Sequence, residues 1–146
     1  MTGLVRPNHV IVIRGTSIDL EYVAADDSAI KPGDLVYLSD EKTIKQGGSA
    51  TGATEVALGI AGYEQAHSLC RPKEREEAYK PGTMVPVLLN GSGVLVMANC
   101  TDAVIAGGIA LTSNGDGALK PAEEGDTIYA ISLEKYETGL TPIRLN

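Results

Sequence analysis

The sequence predicts an all-β fold, a small β-barrel or β-sandwich, on three observations. Short β-branched and aliphatic runs recur along the chain, separated by Gly-, Pro- and Asn-containing turns. Seventeen glycines in 146 residues suit tight turns. A second hairpin-plus-strand segment follows the pattern of the first. The only segment rich in helix-forming residues is residues 64–79, EQAHSLCRPKEREEAY, which Pro72 interrupts. At most one or two short helices are expected.

Residues 10–13, VIVI, form a β-branched run after Pro7 and predict a first strand. Residues 18–24 alternate, with Ile18, Leu20 and Tyr22 on one face. Pro32-Gly33 fits the centre of a type II turn, because Pro presets φ and Gly accepts φ > 0. A strand over 35–39 then turns through Asp40-Glu41-Lys42 and returns over 43–45. Residues 46–54, QGGSATGAT, read as a surface loop. Residues 55–61 give a further strand, with Gly59 marking a close backbone approach or a bulge.

A second Lys-Pro-Gly at 80–82 restarts the β pattern. Residues 84–89 and 94–98 flank Asn-Gly-Ser-Gly, which predicts a hairpin. Pro86 points to an edge position or a bulge there. Residues 101–107 connect to a hairpin over 107–120, GGIALTSNGDGALK. A loop over 121–125 and a strand over 126–133 follow, and 142–145 close the sheet. The chain divides into an N-terminal arm with the first strand, residues 1–15, and a single β domain, 16–146. Within that domain lie the charged excursion 64–80 and an internal repeat.

The repeat pairs residues 30–62 with 105–134. Leu35-Val-Tyr-Leu-Ser39 matches Ile109-Ala-Leu-Thr-Ser113, and the turns differ by one residue. The returns end in Lys45 and Lys120. Residues 56–61, VALGIA, match 127–132, TIYAIS. Each unit has one apolar face that it cannot bury alone, so the two units are expected to pack together.

The core must be built from Val, Ile, Leu and Ala, since the chain has no Trp, no Phe and six Tyr. The formal net charge of −7 repels nucleic-acid phosphate and anionic lipid. Neither nucleic acid nor membrane is therefore expected as a partner. No apolar run reaches transmembrane length, and the first 14 residues lack the pattern of a signal peptide. Synthesis in a cytoplasm is expected.

Catalytic, cofactor and metal sites are not expected. His67 and Cys70 stand three apart, but a zinc site takes about four ligands, and His9 and Cys100 are isolated in sequence. Asn114-Gly-Asp-Gly117 hints at a calcium loop, yet Leu119 and Gly125 stand where that pattern needs Gly and Glu. Two cysteines, Cys70 and Cys100, read as reduced thiols.

One ordered series of short motifs resembles the capsid decoration (cement) proteins of tailed bacteriophages and related viruses. It comprises Lys31-Pro-Gly-Asp-Leu-Val36, Val56-Ala-Leu-Gly-Ile-Ala61, Met84-Val-Pro-Val-Leu88, Gly107-Gly-Ile-Ala-Leu111 and Gly125-Asp-Thr-Ile-Tyr-Ala-Ile131. The resemblance covers residues 30–145; the excursion 64–79 departs from it. It implies a β-tulip-like domain and a homotrimer that binds the major capsid protein on the outer surface of an icosahedral virion. No enzyme activity and no cofactor are implied. The expected partner-binding residues are those of the arm, Leu4, Val5, Arg6, Pro7 and His9. An extended arm can add a strand to a sheet edge of the shell protein or of a neighbouring copy. Two other readings stand beside this one. Residues 6–14 echo a co-chaperonin, and a small ligand- or carbohydrate-binding β module would use the tyrosines.

Overall fold

A computed structural model describes residues 11–14, 19–51, 55–63, 77–91, 93–137 and 140–146. The described residues are all-β. The eleven strands are β1 (Val12–Arg14), β2 (Asp19–Ala24), β3 (Leu35–Asp40), β4 (Thr43–Gln46), β5 (Ala57–Ala61), β6 (Met84–Leu89), β7 (Leu95–Asn99), β8 (Ala110–Ser113), β9 (Leu119–Pro121), β10 (Ala130–Ser132) and β11 (Leu140–Leu145). Five of them close a barrel in the order β2-β4-β3-β5-β6. The other six form one sheet in the order β1-β7-β11-β10-β8-β9.

The two sheets are copies of one plan. β3 lies between β4 and β5, antiparallel to both, as β8 lies between β9 and β10. β6 joins β5 to β2, as β11 joins β10 to β7. The first barrel closes with parallel β2 and β4, Ala24 opposite Ile44. The second sheet curls round to a single parallel bridge, Cys100 opposite Leu119. Ala25 N–H donates to Ile44 O at 3.0 Å, and Thr101 N–H to Leu119 O at 2.8 Å.

The correspondence therefore runs β2 to β7, β3 to β8, β4 to β9, β5 to β10 and β6 to β11. It reaches single groups. Gly62 N–H donates to Pro86 O, as Leu133 N–H does to Pro142 O. Asn90 Nδ2 donates to Ala57 O, and Asn146 Nδ2 to Ile128 O, each at 2.9 Å. The Pro-x-x-Leu-Asn endings at 86–90 and 142–146 are thus one motif used twice.

Several expectations are corrected. The segments flanking Asn90-Gly91 do not pair as a hairpin: β6 lies between β2 and β5, and β7 between β1 and β11. Asn90 to Val94 is the passage from one barrel to the other, with Gly91 and Gly93 at φ 92 and 68. A local hairpin would have left each strand without the partners that close its own barrel. Pro86 is on an interior strand, not an edge, at the point where β5 has ended, so its missing N–H faces no ladder partner. The strand expected over 126–133 is only Ala130–Ser132. The repeat match shifts by one residue in its first strand: equivalent rungs place Val36 with Leu111. The first unit closes its barrel with two further strands, β6 and β2, and the second, joined by β11 and β7, curls round to the Cys100–Leu119 bridge. Of the excursion expected at 64–80, residues 64–76, with His67 and Cys70, lie outside the described residues.

The first barrel encloses Ala24, Ile30, Val36, Ile44, Ala61, Tyr79, Val85 and Val87. Tyr79 is the largest of these, and its hydroxyl donates to Gly62 O at 2.7 Å. Side chains one residue along β3, β5 and β6 point the other way. Leu35, Ile60 and Leu88 form a row across those strands and join the core of the second sheet. The start of β3, all of β5 and the second half of β6 are therefore covered on both faces, which explains their apolar runs. The equivalent row on the second sheet is Ala110, Ile131 and Arg144. There Ala110 and Ile131 are half-buried and Arg144 is exposed.

The packing is therefore one-directional: the outer row of the first barrel docks on the second, and the outer row of the second faces solvent. Leu88→Ala should cost about 3 kcal/mol in urea unfolding. Arg144→Ala, at the equivalent rung, should stay within about 0.5 kcal/mol.

Candidate interaction surface and the seam between barrels

The seam is built from one hydrogen bond that the two copies handle differently. In the first barrel, Val23 N–H donates directly to Lys42 O at 2.8 Å. The equivalent groups of the second are Asn99 N–H and Gly117 O. They do not meet, because residues 33–35 of the first barrel lie between them. Asn99 N–H donates to Gly33 O at 2.9 Å, and Leu35 N–H donates to Gly117 O at 2.7 Å. The same short segment holds its own barrel, with Gly33 N–H donating to Ala61 O and Ala61 N–H to Asp34 O, both at 2.8 Å.

Local sequence sets this segment's shape. Lys31-Pro32-Gly33-Asp34 makes the expected turn, with Gly33 at φ 93 and Asp34 N–H donating to Lys31 O at 3.0 Å. The Asp34 carboxylate then accepts from Lys31 N–H at 2.9 Å. Glu123 to Asp126 repeats the device, with Glu123 N–H donating to Asp126 Oδ2 at 2.9 Å. The two Gly-Asp motifs are thus one turn chemistry used at non-equivalent places, since the pairing equates Gly33 with Gly108.

Asp34 is the most perturbed carboxyl among the described residues. Its Oδ1 accepts from Asn99 Nδ2 at 2.6 Å across the seam. Burial pushes its pKa up to about 6, the hydrogen bonds from Lys31 and Asn99 offsetting part of that rise. Further contacts cross at the loop before β5. Tyr129 hydroxyl donates to Ser49 O at 2.8 Å, Ser113 hydroxyl to Gly48 O at 2.8 Å, and Thr127 N–H to Ala50 O at 2.7 Å.

The arm residues Leu4, Val5, Arg6, Pro7 and His9 lie outside the described residues. Just after them, Ile11 is buried and its carbonyl accepts Met97 N–H at 2.7 Å. β1 follows on the outer edge of β7, Val12 opposite Val96 and Arg14 opposite Leu95. Among the described residues no group of three or more His, Cys, Asp or Glu is placed to hold a metal ion. Cys100 is buried inside the second barrel, and burial pushes its thiol up to about 12. Tyr79 and Tyr129 are buried and hydrogen-bonded, so neither is an open stacking platform. Sequence reading missed Asp34, Asn99 and Gly117 as a unit. The available signal was a Gly at 117 where the equivalent turn carries Lys42.

Compared with known proteins, the chain matches no family model and no curated sequence.

Two outcomes test the seam. A Cβ on Gly117, at φ +101, would stand 2.8 Å from Asp34 Cγ, whereas at Gly108, φ +83, it meets nothing within 4 Å. Both variants to Ala carry left-handed strain, and Gly117→Ala should cost about 1–3 kcal/mol more from overpacking. Second, the raised Asp34 pKa means the folded state holds the proton more tightly than the unfolded chain. Its contribution is fully present below pH 3.8 and is lost as pH rises through about 6. The stability difference between the wild type and Asp34→Asn should shift toward the wild type by about 3 kcal/mol between pH 7 and pH 3.5. A pH-independent difference would remove burial as the cause.

Proposed function

We propose that this protein is a structural component of a virion. It binds the outside of an assembled icosahedral head and stabilises it by bridging neighbouring capsid subunits. The observation that carries this reading is a two-barrel body stitched through its own backbone and filled with aliphatic side chains. It supports a role in holding other subunits rather than in turnover. The motif series that resembles capsid decoration proteins falls on strands and turns of both barrels. The partners are the major capsid protein and further copies of this chain, as a homotrimer, and the location is the outer surface of the particle.

Binding only to the assembled shell stabilises that state by mass action. Many copies, each spanning two shell subunits, add modest contacts into a large total. In this reading the arm, Leu4 to His9, adds a strand to a sheet edge of the shell protein or of a neighbouring copy. The net charge of −7 keeps the decorated surface from nucleic acid and from other particles.

Heads of the parent particle assembled without this chain provide the test. Added protein should bind saturably, and heat disruption of the heads should move up by several degrees. Removing residues 1–7 should lower occupancy at least tenfold. Heads that neither bind the full chain nor gain heat resistance would contradict the proposal.

A further inference from the structure

The sequence holds two Asn-Gly pairs, Asn90-Gly91 and Asn114-Gly115. In such a pair the asparagine loses its amide readily, because glycine leaves the following backbone nitrogen unscreened and free to turn. That nitrogen must close on the side-chain Cγ, so both groups must be able to move. The fold treats the two pairs in opposite ways. Asn90 is half-buried and held by distant parts of the chain. Its N–H donates to Leu58 O at 2.9 Å, its Nδ2 to Ala57 O at 2.9 Å, and the Gly91 N–H to Asn146 O. Closing a ring there would break bonds that tie the passage between the barrels to β5 and to Asn146.

At Asn114 the corresponding bonds stay inside the turn between β8 and β9. Nδ2 donates to Asp116 Oδ1 at 3.2 Å, and Gly115 N–H to Ser113 Oγ at 3.0 Å. The reacting groups therefore move with their own turn. Asn114, Gly115 and Asp116 are exposed, and a Cβ placed on Gly115, at φ 91, would meet nothing within 4 Å. A ring has room to form. The same turn also touches the first barrel. A Cβ on Gly47 would stand 2.7 Å from Gly115 O, and Gly117 O accepts Leu35 N–H at 2.7 Å. Burial, and to a smaller degree the Asp116 charge, already push the Asp34 carboxyl up.

We propose that Asn114 is a modification site, where attack by the Gly115 nitrogen expels the side-chain amide as ammonia and leaves an aspartyl or isoaspartyl residue that weakens the seam, while the fold protects Asn90. Hydroxide takes the Gly115 N–H proton, the nitrogen bonds to Asn114 Cγ, and the Cγ–Nδ2 bond breaks. Nδ2 leaves as ammonia, with a proton from water. Water then adds to one of the two carbonyls of the succinimide ring, and the ring C–N bond at that carbonyl breaks as its nitrogen regains a proton. Opening on one side gives aspartate. Opening on the other gives isoaspartate, whose main chain runs through Cβ and Cγ and is one atom longer. Either product adds a negative charge beside Asp116 to a chain whose formal net charge is already −7. The longer main chain displaces a turn that packs on Gly47 and holds Leu35. None of this rests on binding to a shell.

The full-length chain, kept folded in mildly alkaline buffer, provides the test. Tandem mass spectrometry assigns each replacement of NH by O to a residue. Asn114 should convert at least tenfold faster than Asn90, and isoaspartate should be among its products. In denaturant the two rates should come within threefold of each other, because the protection of Asn90 is structural. The converted fraction, separated by its extra charge, should unfold at a lower urea concentration than the parent. Equal rates in the folded chain, an Asn114 that resists conversion until unfolded, or a product without isoaspartate would overturn the site. A converted fraction that unfolds at the parent's urea concentration would overturn its effect on the seam.

Discussion

Three residues, Gly33, Asp34 and Leu35, hold the molecule together as one object. They belong to two sheets at once. Within the first barrel they start β3 and bond to Ala61. In the second they occupy the gap between Asn99 N–H and Gly117 O, taking a bond from one and giving a bond to the other. The first barrel shows the alternative arrangement of the same groups, Val23 bonded straight to Lys42. The inserted segment therefore replaces one backbone hydrogen bond with two and brings Leu35 into the shared core. A buried carboxyl is the cost of this arrangement, and Asn99 and the Lys31 N–H satisfy it.

The same comparison shows how the seam differs from the outer faces. Lys42 occupies the position of Gly117, and Arg144 occupies the position of Leu88. Both Lys42 and Arg144 are exposed, where Gly117 and Leu88 lie at the contact between the barrels.

Much of this was legible in the sequence. Turn chemistry located the strands: Pro32-Gly33, Pro81-Gly82 and Gly125-Asp126 each mark a turn with its Gly at positive φ. The match between 35–61 and 109–132 was readable because the turns and the terminal lysines align. Less visible was the rest of the copy. Tyr79 to Asn90 and Tyr136 to Asn146 share a Tyr, a Gly and the Pro-x-x-Leu-Asn ending, but a one-residue length difference hides the alignment. Asn90-Gly91 misled because two positive-φ glycines serve a barrel-to-barrel passage as well as a hairpin. The seam itself could not be read at all. It depends on which carbonyl reaches which amide across barrels, and residue type does not encode that.

Calorimetric unfolding of the full chain tests the seam most directly. If residues 33–35 bind both barrels into one unit, the chain should melt in a single transition, with calorimetric and van't Hoff enthalpies equal. Two separable transitions, one for each barrel, would contradict the account.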